Sequence, residues 1–135
     1  MILYFPSGWL IVSVWIPDMS QAYSKELISK AKKIAARNTI KVVEGVYLGT
    51  SGPTFETPAE YVYFRNIGAD TVGMSTVPEV IVAVHSGIKV FAMSIITDLG
   101  VPGKIVEVSH EEVQHIANQV QPKMTQIMKE LIAEL

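Results

Sequence analysis

The 135-residue chain is long enough for one domain with a single core. Hydrophobic residues make up 49% of it and charged residues 18%, which excludes a disordered protein. The net charge of −2, with basic residues spread along the chain, disfavours nucleic-acid binding, because that needs a clustered basic face. The absence of cysteine excludes disulfides and thiolate chemistry and fits a cytoplasmic location, and three scattered histidines predict no metal site.

Residues 1–16 form an apolar leader, "MILYFPSGWLIVSVWI", which Pro6, Ser7 and Gly8 interrupt. The run from Trp9 to Ile16 is too short to span a membrane. The leader also lacks the basic start and the small-residue cleavage site of a signal peptide. We therefore expect a strand or a segment that packs on another surface, and no membrane partner.

From Asp18 onward the pattern becomes regular. Asp18 or Ser20 can cap a helix that runs to about Arg37, because an apolar stripe recurs at helical spacing: Leu27, Ile28, Ala31, Ile34 and Ala35. The β-branched stretch 39–49 predicts a strand. Thr57-Pro58-Ala59-Glu60 is typical of a capping box, which begins a helix that Gly68 closes.

The second half of the chain repeats this alternation. A short strand is expected over 70–74, and Thr76 to Glu79 predicts a second capping box before a helix that Gly87 ends. The stretch 88–97 predicts a buried strand. Ser109 to Glu112 predicts a third capping box, opening a long helix that Pro122 should kink or split.

Alternating strands and helices predict an α/β fold with a parallel sheet. In such sheets ligands bind beyond the carboxyl ends of the strands. Polar or unusual residues follow all three predicted strands: Phe55 and Glu56 after the first, Met74 and Ser75 after the second, and Thr97 and Asp98 after the third. We expect these groups to face one pocket. Glu56 is notable because it lies outside the capping box and has no local structural task.

The segments "GPTFETPAE", "GADTVGMSTVPEVIVA" and "SIITD" resemble the C-terminal half of the trimeric purine nucleoside phosphorylases, which are related to methylthioadenosine phosphorylase. The resemblance covers residues 17–135, and the leader 1–16 lies outside it. It implies a three-layer α/β fold with a mostly parallel sheet and helices on both faces, truncated at the N-terminal side. It also implies purine salvage by phosphate-dependent cleavage of purine ribonucleosides to the base and ribose 1-phosphate. Inorganic phosphate would be the co-substrate, and no cofactor would be needed. The chain would assemble as a homo-oligomer, which is a trimer in the family.

The resemblance also implies roles for individual residues, of which Asp98 would be the catalytic one. The base would contact Phe55, Glu56, Val72, Gly73 and Asp98; the ribose would contact Tyr47, Met74 and His110; phosphate would contact Ser75. Glu56 suits this role because an ionised carboxylate can accept from both the N1 and the exocyclic amino donors of a 6-oxopurine.

Each role has a structural alternative. Glu56 could be a solvated loop acid near a helix dipole, Ser75 an additional cap, and His110 a surface residue, while Met74 and Phe55 could belong to the core. Asp98 departs from the asparagine that many family members carry. A protonated aspartate could donate to N7 of the base, and an ionised one could accept from a 6-amino group, so the base preference stays open.

The 135 residues contain no glycine-rich phosphate loop, and the two arginines, Arg37 and Arg65, lie on predicted helices. Three hypotheses follow. The chain is a purine nucleoside phosphorylase subunit or fragment with a nucleoside pocket and impaired turnover. Alternatively, it is a non-catalytic fragment that only binds nucleoside or self-associates, or it resembles methylthioadenosine phosphorylase in activity.

Overall fold

The computed structural model describes residues 2–4, 10–12, 16–107 and 109–135, and for residues 2–4 and 10–12 it gives the backbone path alone. Within these ranges the elements are β1 (Ile2–Tyr4), β2 (Leu10–Val12), α1 (Lys25–Arg37), β3 (Tyr47–Gly49), α2 (Pro58–Asn66), β4 (Thr71–Gly73), α3 (Val77–His85) and α4 (His110–Ala133). Strands β1 and β2 pair in antiparallel fashion, with Ile2 opposite Val12. Much of the predicted apolar leader, residues 1–16, lies outside the described residues.

Strands β3 and β4 pair in parallel, with Tyr47 opposite Thr71 and Gly49 opposite Gly73. Helix α2 connects them, so this part of the chain is a βαβ unit. The predicted α/β class is therefore confirmed. The parallel register sends the carboxyl ends of both strands to the same edge, where residues 50–56 and 74–76 follow them.

Two predicted strands are shorter in the structure than the sequence indicates. Only Tyr47–Gly49 of the stretch 39–49 is a strand: Thr39 has a left-handed φ of 55°, and the backbone N–H of Val46 donates to the Asp70 carboxylate at 2.9 Å. The stretch 88–97 makes a single parallel bridge, between Tyr23 and Val90. β-branched composition alone does not make a strand, because a strand also needs a neighbouring strand at the right distance.

Helix α1 begins later than predicted. Ser24 is its N-cap and accepts from the backbone N–H of Leu27 at 3.4 Å, so the prediction of a cap at Asp18 or Ser20 is wrong. The Asp18 carboxylate instead accepts from the backbone N–H and the hydroxyl of Ser20, at 2.8 and 2.9 Å. This local turn competes with helix formation. The predicted end at Arg37 is confirmed.

Two of the three predicted capping boxes are confirmed. At the start of α2 the backbone N–H of Thr57 donates to Glu60 at 2.7 Å, and that of Glu60 donates to the Thr57 hydroxyl at 3.3 Å. Ser109 and Glu112 make the same reciprocal pair at the start of α4. Helix α4 then runs through Pro122 without being split.

The third predicted capping box, at Thr76, is wrong. Thr76 is the residue before α3, but its φ is 73°, and its side chain makes no capping hydrogen bond to the helix. Its hydroxyl lies 3.2 Å from that of Ser75 instead. A β-branched residue in the left-handed region is strained by about 1–3 kcal/mol, so the local structure holds Thr76 in an unfavourable conformation.

The main core lies between α1 and α4. Its buried members are apolar side chains from both helices: Leu27, Ala31, Ile34, Ala35, Ile127 and Leu131. Phe91 and Met93, from the segment after α3, pack against this cluster. At its edge Arg37 pairs with Glu130 and Glu134, at 2.6 and 2.7 Å. The apolar stripe predicted for α1 is thus its buried face, apart from the partly exposed Ile28.

Among the described residues, no helix has the length and apolar character needed to cross a membrane.

Replacement of Ile127 by alanine should destabilise the chain by about 2–5 kcal/mol, because it removes buried methylene groups and leaves a cavity between α1 and α4. Ile127 is fully buried, whereas Ile132 on the same helix is 63% exposed. Ile132→Ala is therefore the matched control and should cost less than about 1 kcal/mol. Urea unfolding followed by circular dichroism measures both. Equal losses would contradict the placement of the core.

Candidate functional site

The loop after β3 is held to the end of β4. The backbone N–H of Thr50 donates to the Gly73 carbonyl at 2.9 Å, which extends the parallel pairing by one residue. The Thr50 hydroxyl lies 3.4 Å from Oε1 of Glu56. The capping box of α2 begins at the very next residue, Thr57, so Glu56 is fixed by ordered backbone on both sides.

Glu56 faces a cavity of about 430 Å³. The lining consists of acidic, aromatic and apolar side chains: Phe55, Glu56, Tyr61, Asp98, Leu99, Ile105, Val106 and Glu107. Three residues predicted for the site therefore meet here, namely Phe55, Glu56 and Asp98. A cavity of this size, with an apolar wall and a few convergent polar groups, is typical of a small-molecule site.

The Tyr61 hydroxyl lies between the two predicted carboxylates. Its oxygen is 3.4 Å from Oε2 of Glu56 and 3.4 Å from Oδ2 of Asp98. Asp98 also accepts from the Thr97 hydroxyl at 2.9 Å, through its other oxygen. Each carboxylate thus has a threonine donor of its own and shares the tyrosine donor with the other.

This position raises the pKa of Tyr61 to about 12. Burial is the largest cause, and the negative charges of Asp98 and Glu56 add to it, because both disfavour a phenolate in the same place. Near neutral pH Tyr61 is therefore a hydrogen-bond donor beside two acids.

Gly100 makes room for the Tyr61 ring. A β-carbon at residue 100 would overlap ring atoms Cδ1, Cε1 and Cγ of Tyr61. Gly100 follows Asp98 by two residues, so the segment that carries one carboxylate also supports the ring whose hydroxyl reaches that carboxylate.

A second group of predicted residues lies at the end of β4, outside the lining of this cavity. The Tyr47 hydroxyl accepts from the backbone N–H of Ser75 at 3.4 Å, and it lies so close to Gly73 that a β-carbon there would collide with it. The Met74 side chain lies against Gly52. Tyr47 also lines a larger open cavity of about 740 Å³ beside α1 and α4.

Val72 and His110 are less closely connected with either group. Val72 is a partly buried residue within β4, opposite Leu48. His110 is exposed at the start of α4, and its Nε2 lies 3.0 Å from the Gln114 amide nitrogen. The structure does not place His110 in the lining of the cavity around Glu56 and Asp98.

A model of the phosphorylase superfamily matches residues 4–133. The chain belongs to this superfamily. Purine nucleoside phosphorylase 1 of Bacillus subtilis is 43% identical over 118 residues, which cover 87% of this chain and 44% of that protein. The chain therefore spans about half the length of the curated relatives it matches.

Solved structures support the same relationship at the level of fold. The Schistosoma purine nucleoside phosphorylase in complex with hypoxanthine aligns with a TM-score of 0.82 at 38% identity, over 88% of this chain and 44% of that one. The Schistosoma mansoni enzyme in complex with adenosine gives the same values. The predicted phosphorylase-like α/β fold is thereby confirmed.

Three further residues of this phosphorylase-family chain lie in or beside the cavity although the sequence did not predict them there: Tyr61, Thr50 and Glu107. One signal for Tyr61 was present: it lies one helical turn after the cap residue Thr57, and thus on the face of α2 nearest Glu56. For Glu107 there was no local signal, because it reaches the cavity through a loop without regular structure.

No group of three acidic or histidine side chains suited to a metal ion occurs among the described residues.

The stability of this phosphorylase-family chain should fall as the pH rises from about 10 towards 12, and Tyr61 should contribute to that loss. In the unfolded chain Tyr61 releases its proton near pH 10, but the folded chain keeps the proton up to about pH 12. The unfolded state therefore binds fewer protons in this window, so rising pH favours unfolding.

Urea unfolding midpoints at pH 9 and pH 11 test this contribution. Tyr61→Phe should lose less stability between the two pH values than the wild type. Tyr63→Phe is the control, because Tyr63 lies on the same helix but is 60% exposed. A pH dependence in Tyr61→Phe as steep as that of the wild type would be inconsistent with the assignment.

Proposed function

We propose that this chain forms the base-binding part of a purine nucleoside phosphorylase, which cleaves purine ribonucleosides with inorganic phosphate. The observation that carries the proposal is the meeting of Glu56, Asp98 and Phe55 around one cavity. Hydrogen-bond acceptors and an aromatic ring are the groups that a flat base with ring N–H donors requires. The sequence relationship to enzymes of this name supports the same reaction.

Glu56 is proposed as the main contact to the base. Its two oxygens can accept from N1–H and from a neighbouring amino group of a 6-oxopurine, and charged acceptors make stronger hydrogen bonds than neutral ones. Phe55 lines the same cavity and is 46% exposed, so its ring is accessible to pack beside the base. We include Val72 and Gly73 in the proposed base pocket on the family resemblance.

Asp98 is proposed as the catalytic residue, because it lines the same cavity as Glu56. In its protonated form it would donate to N7 and assist departure of the base. In its ionised form it would accept from a 6-amino group. The structures of relatives with hypoxanthine and with adenosine are consistent with a site that meets both classes of base.

The ribose and phosphate are proposed to lie towards the end of β4. Met74, Tyr47 and His110 would contact the sugar and Ser75 the phosphate. The neighbouring strained residue supports this placement, because strained backbone clusters at ligand sites and Thr76 has a φ of 73°. The Ser75 hydroxyl is exposed at the start of α3, where the helix dipole favours an anion.

Replacement of Glu56 by alanine should weaken binding of guanine or hypoxanthine by about 1–3 kcal/mol, because the base donors lose a charged acceptor. Calorimetric titration of each base into wild type and variant measures the difference. Glu79→Ala is the control, since Glu79 lines neither cavity. If Glu56→Ala and Glu79→Ala bind the bases equally well, Glu56 does not belong to the site.

The 135-residue chain tested alone should bind purine but cleave inosine at well below about one turnover per second. Phosphate is a dianion that must be held against the sugar, and Ser75 with the start of α3 supplies few donors for it. Loss of a single preorganised donor costs about 10²–10³ in rate. The assay is hypoxanthine release from inosine and phosphate. Turnover near one per second would show that the chain holds phosphate by other residues, and a lack of purine binding would favour the alternative of a non-catalytic chain that only self-associates.

We further propose that the chain forms a homo-oligomer, which the family resemblance suggests is a trimer. A cytoplasmic location stays a prediction of the sequence. Exposed apolar side chains on α3, among them Ile81 and Val82, support association, because large exposed apolar residues favour contacts between chains. Light scattering at micromolar concentration should give a multiple of 14.8 kDa. A mass equal to one chain would contradict the proposal.

A further inference from the structure

The cavity around Glu56 and Asp98 contains more acceptors than donors. Its described lining includes three carboxylates, those of Glu56, Asp98 and Glu107, and no lysine, arginine or histidine. Among the described residues, the donors that reach Glu56 and Asp98 are all hydroxyl groups: Thr50 on Oε1 of Glu56, Thr97 on Oδ1 of Asp98, and Tyr61 on the remaining oxygen of each. Tyr61 is therefore the donor that the two carboxylates share.

A tyrosine hydroxyl has one proton and can donate it to one acceptor at a time. Both of its distances are 3.4 Å, which is long for an O–H···O bond, so Tyr61 is not committed to either carboxylate. Hydrogen bonds in unliganded sites often shorten only when the ligand binds. A ligand that satisfies one carboxylate would leave the tyrosine proton to the other.

We propose that Tyr61 is a positioning residue that lets one site bind both classes of purine base: its hydroxyl donates to the carboxylate that receives no N–H donor from the bound base. A free 6-oxopurine base donates N1–H to Glu56, and Tyr61 then donates to the ionised form of Asp98; the protonated form, which would donate to N7, belongs to the cleavage step. A 6-aminopurine donates its amino group to Asp98, and Tyr61 then donates to Glu56. The site can consequently bind both classes of purine base, and in each complex both carboxylates keep a hydrogen-bond donor. This inference rests on the proposed purine-binding function.

The test uses calorimetric titration of hypoxanthine and adenine into the full chain. Tyr61→Phe should weaken binding of both bases about tenfold, because in each complex one carboxylate loses a charge-assisted hydrogen bond. Tyr63→Phe removes a hydroxyl from the exposed side of the same helix and should change neither affinity.

Two further backgrounds distinguish this role from general support of the fold. In the Asp98→Asn variant, the residue that accepts from Tyr61 in the hypoxanthine complex is neutral. Adding Tyr61→Phe to this variant should therefore weaken hypoxanthine binding by about threefold or less. Adding Tyr61→Phe to Glu56→Gln should likewise weaken adenine binding by about threefold or less. A purely structural tyrosine would produce the same loss in every background, and that result would overturn the inference.

A readout without ligand completes the test. In protein labelled with ¹³C at tyrosine Cζ, the Tyr61 resonance is assigned by its disappearance in Tyr61→Phe. Both Glu56→Gln and Asp98→Asn should shift it, and neither should shift that of Tyr63. If neither variant moves the Tyr61 resonance, the shared donor does not exist. If the wild type binds neither base, both the proposed function and this inference fail. If the wild type binds the bases and Tyr61→Phe binds them equally well, the inference alone is overturned.

Discussion

The packing of α1 against α4 is the interaction on which the rest of the structure depends. The apolar cluster between these helices includes Ile34 and Ile127, which are fully buried, and Phe91 and Met93 lie against the same cluster. The start of α1 is also joined to this segment, since the backbone N–H of Ser24 donates to the Val90 carbonyl at 2.8 Å. Because the segment leads directly to Asp98, burial of residues outside the cavity lining helps to determine where one of its two central carboxylates lies.

The other carboxylate is placed by backbone hydrogen bonds. Glu56 lies between the parallel β3–β4 pair and the capping box of α2, neither of which needs a large core. Hydrophobic packing thus holds one acid and local backbone order holds the other. The Tyr61 hydroxyl connects the two, and its high pKa, caused first by burial and then by both negative charges, keeps it a donor.

The sequence predicted local features well and non-local ones poorly. The capping boxes at Thr57 and Ser109 follow from hydrogen bonds between residues three apart, so their pattern is visible in the sequence. The strand expected over 88–97 depends on a neighbour that the local pattern cannot reveal, and the structure has only a bridge at Val90. The capping box predicted at Thr76 is wrong for a related reason. The surrounding fold imposes a left-handed backbone conformation that a threonine disfavours.

The same distinction applies to the site. The pairing of Glu56 with Asp98 could be expected, because both follow predicted strands of a parallel sheet. Tyr61 could not be selected in this way, because its importance depends on the distance from its hydroxyl to a carboxylate 37 residues away. Residue type and spacing thus indicate which acids meet, whereas the donor between them becomes visible only in three dimensions.

The close contacts of Gly73 and Gly100 have a consequence for how this surface can change in evolution or in the laboratory. Each glycine lies against the side chain of a tyrosine near the proposed ligand: Gly73 against the Tyr47 hydroxyl and Gly100 against the Tyr61 ring. A single methyl group at either position would displace the neighbouring tyrosine together with its hydroxyl, and with it the hydrogen bonds that this hydroxyl makes. The two glycines are therefore points at which a small steric change can shift ligand preference, separately in the two halves of the surface and without any change of formal charge.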